Sequence, residues 1–268
     1  MASRLDQIVA AARRRVSEQR NSLDLAALEQ KAEQHKPRGF QRALDAAARS
    51  GPAIIAELKK ASPSRGLIRA DFDPVTLAVE MEHAGAAALS VLTDQEFFQG
   101  SLENLRRASD STKLPCLRKD FIVDELQVVE SRANQADAIL LIVAALSDEE
   151  LVLLSRRGWE AGLDVLCEVH DEHELERALE VGCDFIGVNS RDLRTFEVDL
   201  NTAIRLAAML PKDAVAVAES GIHSGHDVAR LWAEGYKAFL IGESLMRETS
   251  PGEGLKRLLA DSRASVGG

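Results

Sequence analysis

Eight short apolar runs recur along the chain, each separated from the next by a segment with helical spacing. They cover residues 53–58, 86–92, 114–117, 137–143, 164–169, 185–188, 214–218 and 238–241. Each is rich in Val, Ile, Leu and Ala and too short for an ordinary helix, so it reads as a strand buried on both faces. The intervening segments carry helix punctuation. Asp73 precedes Pro74 as an N-cap before first-turn proline, and Gly85 stops that helix. Ser147 and Glu150 form a capping box that opens a helix running toward Gly162. Further helices are expected over 170–181, ending at Gly182, and 224–233, ending near Gly235.

Strands alternating with helices imply parallel pairing through crossovers. Eight such units fit an α/β fold of the (β/α)8 TIM-barrel type. A doubly wound open sheet is the alternative, because periodicity does not show closure. No G-x-G-x-x-G follows the first run, so the dinucleotide fingerprint of that alternative is missing. The chain of 268 residues reads as one domain over 1–268. Within it, about 1–50 form a helical extension packed on the barrel and about 51–260 hold the eight units.

A formal net charge of −10 argues against nucleic acid as a partner. It also requires that an anionic substrate be captured by a local site, since the overall field repels it. Arg13, Arg14 and Arg15 lie in an amphipathic helix marked by Leu5, Ile8, Val9, Ala12 and Val16, and are expected on its solvated face. No apolar stretch reaches the roughly 20 residues that cross a bilayer, and the N-terminus lacks a signal-peptide pattern. Cys116, Cys167 and Cys183 show no CxxC spacing and are expected as buried, reduced thiols, which points to the cytoplasm.

In a barrel of this kind chemistry belongs at the C-terminal ends of the strands. Those ends carry Glu57 and Lys59, Lys119, Glu168, Asn189 and Arg191, and Glu219 with Ser220. Residues two apart share a side of a strand, so Glu57 and Lys59 can both face the barrel axis. Lys119, in LRKDF, shares its face with Leu117 while Arg118 turns outward. A single charge just past a strand is most often solvated or salt-bridged. A cluster at one end of one barrel is costly to bury without a reason, and mixed Lys and Glu suit proton transfer.

A second signal is a phosphate site. Glu219-Ser220-Gly221-Ile222 and Ile241-Gly242-Glu243-Ser244 follow the last two runs, where phosphate commonly binds in this fold. Glycine there permits close backbone approach, and a helix N-terminus supplies positive potential. A phosphorylated small molecule is therefore the expected substrate. His170-x-x-His173 and His223-x-x-His226 lack the further ligands of a metal site, so no metal is expected. Ser220 is not in a G-x-S-x-G elbow.

IIAELKKASPSRG (54–66), SVLTDQEFFQGS (90–101), LRKDFIVDE (117–125), CEVHDEHEL (167–175), IGVNSRDLRTFEVDL (186–200), AESGI (218–222) and FLIGESLMR (239–247) closely resemble the indole-3-glycerol phosphate synthase family. The likeness runs in order along nearly the whole chain and includes the N-terminal helix beginning LDQIV. The resemblance implies ring closure, decarboxylation and dehydration of 1-(2-carboxyphenylamino)-1-deoxyribulose 5-phosphate, without a cofactor, in tryptophan biosynthesis. It implies Lys119 as the general acid of ring closure, Glu168 as one member of the dehydration pair, and Lys59 as its aid or as a holder of substrate. Glu57, Asn189 and Glu219 would orient these groups. Ser62, Arg191, Ser220, Gly221, Gly242 and Glu243 would bind substrate or its phosphate, Glu243 through its N–H with the side chain turned away. Phe98, Phe121 and Leu193 would wall the anthranilate ring. Association with other enzymes of the pathway is a further expectation. Phosphoribosylanthranilate isomerase, a rival phosphosugar barrel, uses a cysteine and an aspartate where this chain has Glu57/Lys59 and Glu168. A barrel that only binds a phosphorylated ligand is the rival from another class.

Overall fold

The computed structural model describes residues 3–20, 23–193, 195, 197–212 and 214–266. Eight parallel strands close into one barrel. They are β1 (Ala53–Leu58), β2 (Ala88–Leu92), β3 (Cys116–Lys119), β4 (Ala138–Ile142), β5 (Asp164–Val169), β6 (Phe185–Asn189), β7 (Val215–Glu219) and β8 (Ala238–Ile241). β1 pairs with both β2 and β8, which is the closure that periodicity left open. A two-stranded hairpin, Ala61–Ser62 with Gly66–Leu67, rises from the loop after β1.

Nearly every strand residue is buried, as expected where helices cover the outside and side chains fill the inside. The helix punctuation forms as expected. Asp73 accepts from the Thr76 N–H, and Gly85 ends that helix at φ 95°. Ser147 with Glu150 makes the capping box.

Strand ends differ from the sequence reading in a way that matters for the site. β3 begins at Cys116, two residues later than expected, and runs through Arg118 to Lys119. Pro115 has no N–H to offer a ladder, whereas the Cys116 N–H donates to buried Asp137 at 2.7 Å. Lys119 is thus the last residue of the strand and not a residue beyond it. The expected 170–181 helix starts only at Glu172, because Asp171 caps it by accepting from the Glu174 N–H. His170 is left in the turn.

Three helices precede the barrel: α1 (Arg4–Arg20), α2 (Leu25–Gln34) and α3 (Phe40–Ala48). Phe40 and Leu44 of α3 are fully buried, Phe40 against Phe185 at the start of β6, so α3 closes the N-terminal end of the barrel. α1 crosses toward the opposite end. The solvated face expected for its arginines holds for Arg13, which meets Glu150 at the surface. It fails for Arg15, which pairs with buried Asp94 and Asp120. Burying two carboxylates there requires a cation, and Arg15 is within reach. Cys167 and Cys183 also depart from the expectation of three thiols. They lie on β5 and just before β6, neighbouring strands, and are joined as a disulfide, while Cys116 is free and buried.

Candidate active site

All the residues singled out at the strand ends line one cavity at the C-terminal mouth of the barrel. Register explains the convergence. Glu219 sits level with Asn189 on β6 and with Leu240 on β8, and Glu168 sits level with Gly187. Glu57, Glu168, Asn189 and Glu219 are buried strand residues, so their side chains meet over the barrel axis.

The Lys119 Nζ donates to Glu168 Oε2 at 2.6 Å and lies 3.5 Å from Glu219 Oε2. Asn189 Nδ2 donates to the other Glu168 oxygen at 3.0 Å. Lys59 Nζ meets Glu57 Oε1 at 2.5 Å. Burial alone would lower the Lys119 pKa, but Glu168, Glu219 and Glu57 hold it above the ordinary lysine value. Burial likewise works against an ionised Glu168, and Lys119 and His170 more than reverse it, holding that carboxyl well below its usual range. Glu219 goes the other way. Burial, with Glu168 and Glu57 nearby, pushes it up to about 8 despite Lys119. The 3.5 Å contact with Lys119 thus sets a lysine beside a carboxyl that holds its proton more tightly than an ordinary glutamate.

The walls divide by chemistry. Phe98 and Phe121 form an apolar side, ring centroids 6.3 Å apart, with Leu193 also lining the cavity. Ser62 lines it too, its buried hydroxyl without a partner among the described residues. At the far side, Ser220 and Gly221 both have positive φ, 64° and 75°. Gly242 precedes a single helical turn, Glu243–Met246. Ser244 Oγ donates to the Ile222 carbonyl at 3.2 Å and ties the two loops together. The Glu243 side chain lies 3.1 Å from Arg65, 3.2 Å from Arg247 and 4.0 Å from Arg191. It gathers arginines beside these two loops.

Arg118 is structural, as its outward turn implied. It pairs with Asp120 at 3.0 Å and Glu130 at 2.9 Å. Sequence reasoning missed several participants. Asp94 and Asp120 also line the cavity. Gly187 gives Glu219 its room, because a Cβ there would land on the Glu219 carboxylate. A glycine inside a strand run was the available signal for such an approach. His170 touches Glu168 from behind, and nothing local in sequence marked that contact.

The family model described as indole-3-glycerol phosphate synthase matches residues 5–258. An indole-3-glycerol phosphate synthase of Koribacter versatilis (strain Ellin345) is 56% identical over 259 residues, covering 97% of this chain and 100% of that protein. Among solved structures, a mandelate oxidase superposes with a TM-score of 0.62 at 17% identity, over 81% of this chain and 75% of its own. A thiamine phosphate pyrophosphorylase from Pyrococcus furiosus gives 0.58 at 13% identity, over 80% and 96%. At those identities the two structures bear on the barrel fold alone. The family match spans nearly the whole chain and the relative is more than half identical, so this chain belongs to the indole-3-glycerol phosphate synthase family.

Proposed function

We propose that this chain carries out its family's reaction with Lys119 as the general acid of ring closure and Glu168 as the base of dehydration. The aromatic carbon bearing the substrate carboxylate attacks the ribulose ketone, and the new alkoxide needs a proton. Lys119, held charged above all by Glu168, stands at the mouth to deliver it. Loss of CO2 then restores the aromatic ring. Dehydration removes a proton from the carbon beside nitrogen while hydroxide leaves with a second proton. Glu168 is ionised and suited to accept the first. Once Lys119 has given up its proton, the Glu168 carboxylate loses half its counter-charge and becomes a stronger base. Lys59 stands across the cavity on Glu57, placed to assist the departing hydroxyl or hold the substrate carboxylate.

Phe98, Phe121 and Leu193 are assigned to the anthranilate ring, and Ser220, Gly221, Gly242 and Glu243 to the phosphate end with Ser62 and Arg191. The observation that carries the reading is the Lys119–Glu168 pair, set between an apolar wall and two glycine-bearing loops. Each step is a heterolytic proton transfer or the making or breaking of a carbon–carbon or carbon–oxygen bond, which these side chains can serve. The same reading places the enzyme in the cytoplasm and includes association with other enzymes of tryptophan biosynthesis, which co-purification from native extract tests.

Lys119→Ala is the direct experiment on the chemistry. Turnover of the carboxyphenylamino deoxyribulose phosphate is expected to fall by about a hundredfold or more, with the barrel folded by circular dichroism. Near-normal formation of indole-3-glycerol phosphate by the folded variant would overturn the role.

A further inference from the structure

His170 sits two residues beyond Glu168, on the turn that leaves β5. Its Nε2 is 3.4 Å from Glu168 Oε1, an ion-pair distance, and has no hydrogen-bond partner among the described residues. Its other nitrogen, Nδ1, is 2.9 Å from Glu174 Oε2, and its backbone N–H donates to that same oxygen at 2.8 Å. Glu174 is itself fixed on the first turn of the helix that Asp171 caps. The imidazole thus lies between two carboxylates, with Nε2 close to the Glu168 oxygen that Lys119 does not use. His170 does not line the cavity, so it stands behind Glu168, out of reach of substrate.

The charges around it explain why a cation belongs there. Glu168 faces Lys119 from β3, Glu219 from β7 and Asn189 from β6, and Glu57 of β1, paired with Lys59 just beyond that strand, completes the floor. His170 faces Glu168 and Glu174. Without it, Lys119 is the only cation in contact with Glu168 among the described residues. Lys119 is also the group assigned to lose its proton at ring closure. At that moment a buried carboxylate with no other counter-charge would take up a proton and cease to be a base.

We propose that His170, held by Glu174, is a positioning residue for the reaction: as an imidazolium behind Glu168, it keeps that carboxylate ionised and aimed at the cavity while Lys119 is neutral. Burial opposes the charge on His170, but Glu168 and Glu174 push its pKa up to about 10, so the imidazolium persists through neutral pH. The inference rests on the assignment of Glu168 as the base of dehydration.

Three measurements test it. In the wild-type enzyme, the His170 ring signal followed by NMR is expected to remain that of an imidazolium from about pH 6 to about pH 9. Titration near the ordinary value of about 6.5 would overturn the proposal. In His170→Asn, which keeps a donor and removes the charge, kcat is expected to fall about tenfold with KM within about twofold. The acid limb of the kcat profile should also move up by about one pH unit, because a carboxylate that loses a cation binds its proton more tightly. Glu174→Gln, which leaves the imidazole in place but weakens its charge, should shift the same limb by less. A fall in kcat with the acid limb unmoved in both variants means a merely structural histidine and overturns the proposal. Glu168→Gln separates this from failure of the underlying reading. If that variant turns over normally, the base assignment falls. If it is inactive while His170→Asn matches wild type, only the role of His170 falls.

Discussion

The guanidinium of Arg15 lies 3.0 Å from the carboxylate of Asp94, joining the first helix of the extension to the mouth of the barrel. Its second nitrogen is 3.3 Å from Asp120, the residue after Lys119. Asp120 also holds Thr93 and Arg118, so one network runs from the extension to the strand end that carries Lys119. Arg15→Ala leaves two buried carboxylates short of a cation. Arg15 is partly exposed and Asp120 retains Arg118, so the expected cost is about 1–3 kcal/mol, below that of a fully buried pair. We expect kcat to fall with it, because the segment carrying Lys119 loses a tether. Urea unfolding and steady-state rates on the same preparation check this, and wild-type values in both would refute it.

Glu219 gives the site a pH signature. Its carboxyl is pushed up to about 8 by burial and by the nearby Glu168 and Glu57. The folded state therefore holds a proton that the unfolded chain releases near the ordinary glutamate value of about 4.3. The associated stability is complete below that value and is lost as pH rises through about 8. Glu219→Gln keeps the neutral form at every pH. The variant should thus gain on wild type as pH is raised from about 5 to about 8, read as the difference in urea midpoints. Parallel pH dependences for the two proteins would show that Glu219 ionises normally.

Gly187 is where activity and stability should come apart. A methyl group there would occupy the position of the Glu219 carboxylate and press on Leu166. The carboxylate is the end of a flexible side chain and can move, so Gly187→Ala should cost only about 1–3 kcal/mol of stability. The displaced Glu219 is then out of place beside Lys119, and misplacement on the ångström scale costs about a hundredfold in rate. Loss of both in equal measure, or of neither, would contradict this account.

The fold was legible because burial on both faces leaves a mark in every strand, whereas closure depends on which strands pair and leaves none. The site was legible for a related reason. Glu57, Lys119, Glu168 and Glu219 are charges at the ends of apolar runs, and the period of two along a strand says which way each points. Arg15 was misread because its partners, Asp94 and Asp120, lie 79 and 105 residues away, and no local pattern records a pairing across that distance. His170 was placed on a helix because the polar run 170–174 has no break before the apolar spacing of Leu175, Ala178 and Leu179. Asp171 competes for the cap and wins, which frees the histidine to turn back toward Glu168. The Cys167–Cys183 contact belongs with these cases, since it follows from adjacent strands and not from spacing.

Asp137 should show the reverse of Gly187, stability without catalysis. It is fully buried at the N-terminal end of the barrel, away from the cavity. Its oxygens accept from the Arg38 backbone N–H at 2.7 Å, the Arg38 Nε at 2.9 Å and the Cys116 N–H at 2.7 Å, with His35 at 3.2 Å. One carboxylate thus ties the extension, the start of β3 and the start of β4. Burial works against its ionised form, but His35 and Arg38 hold its pKa below the usual aspartate value. Its contribution is therefore present at neutral pH and lost as pH falls below the carboxylate range. Asp137→Ala strands the Arg38 charge and an unpaired Cys116 N–H, and should cost about 3–5 kcal/mol. The residual folded enzyme should keep its kcat, because no group at the mouth of the barrel is touched. Urea unfolding with rates corrected for folded fraction decides the point: a loss under about 1 kcal/mol, or a lowered kcat per folded molecule, would rule out this division of labour between the two ends of the barrel.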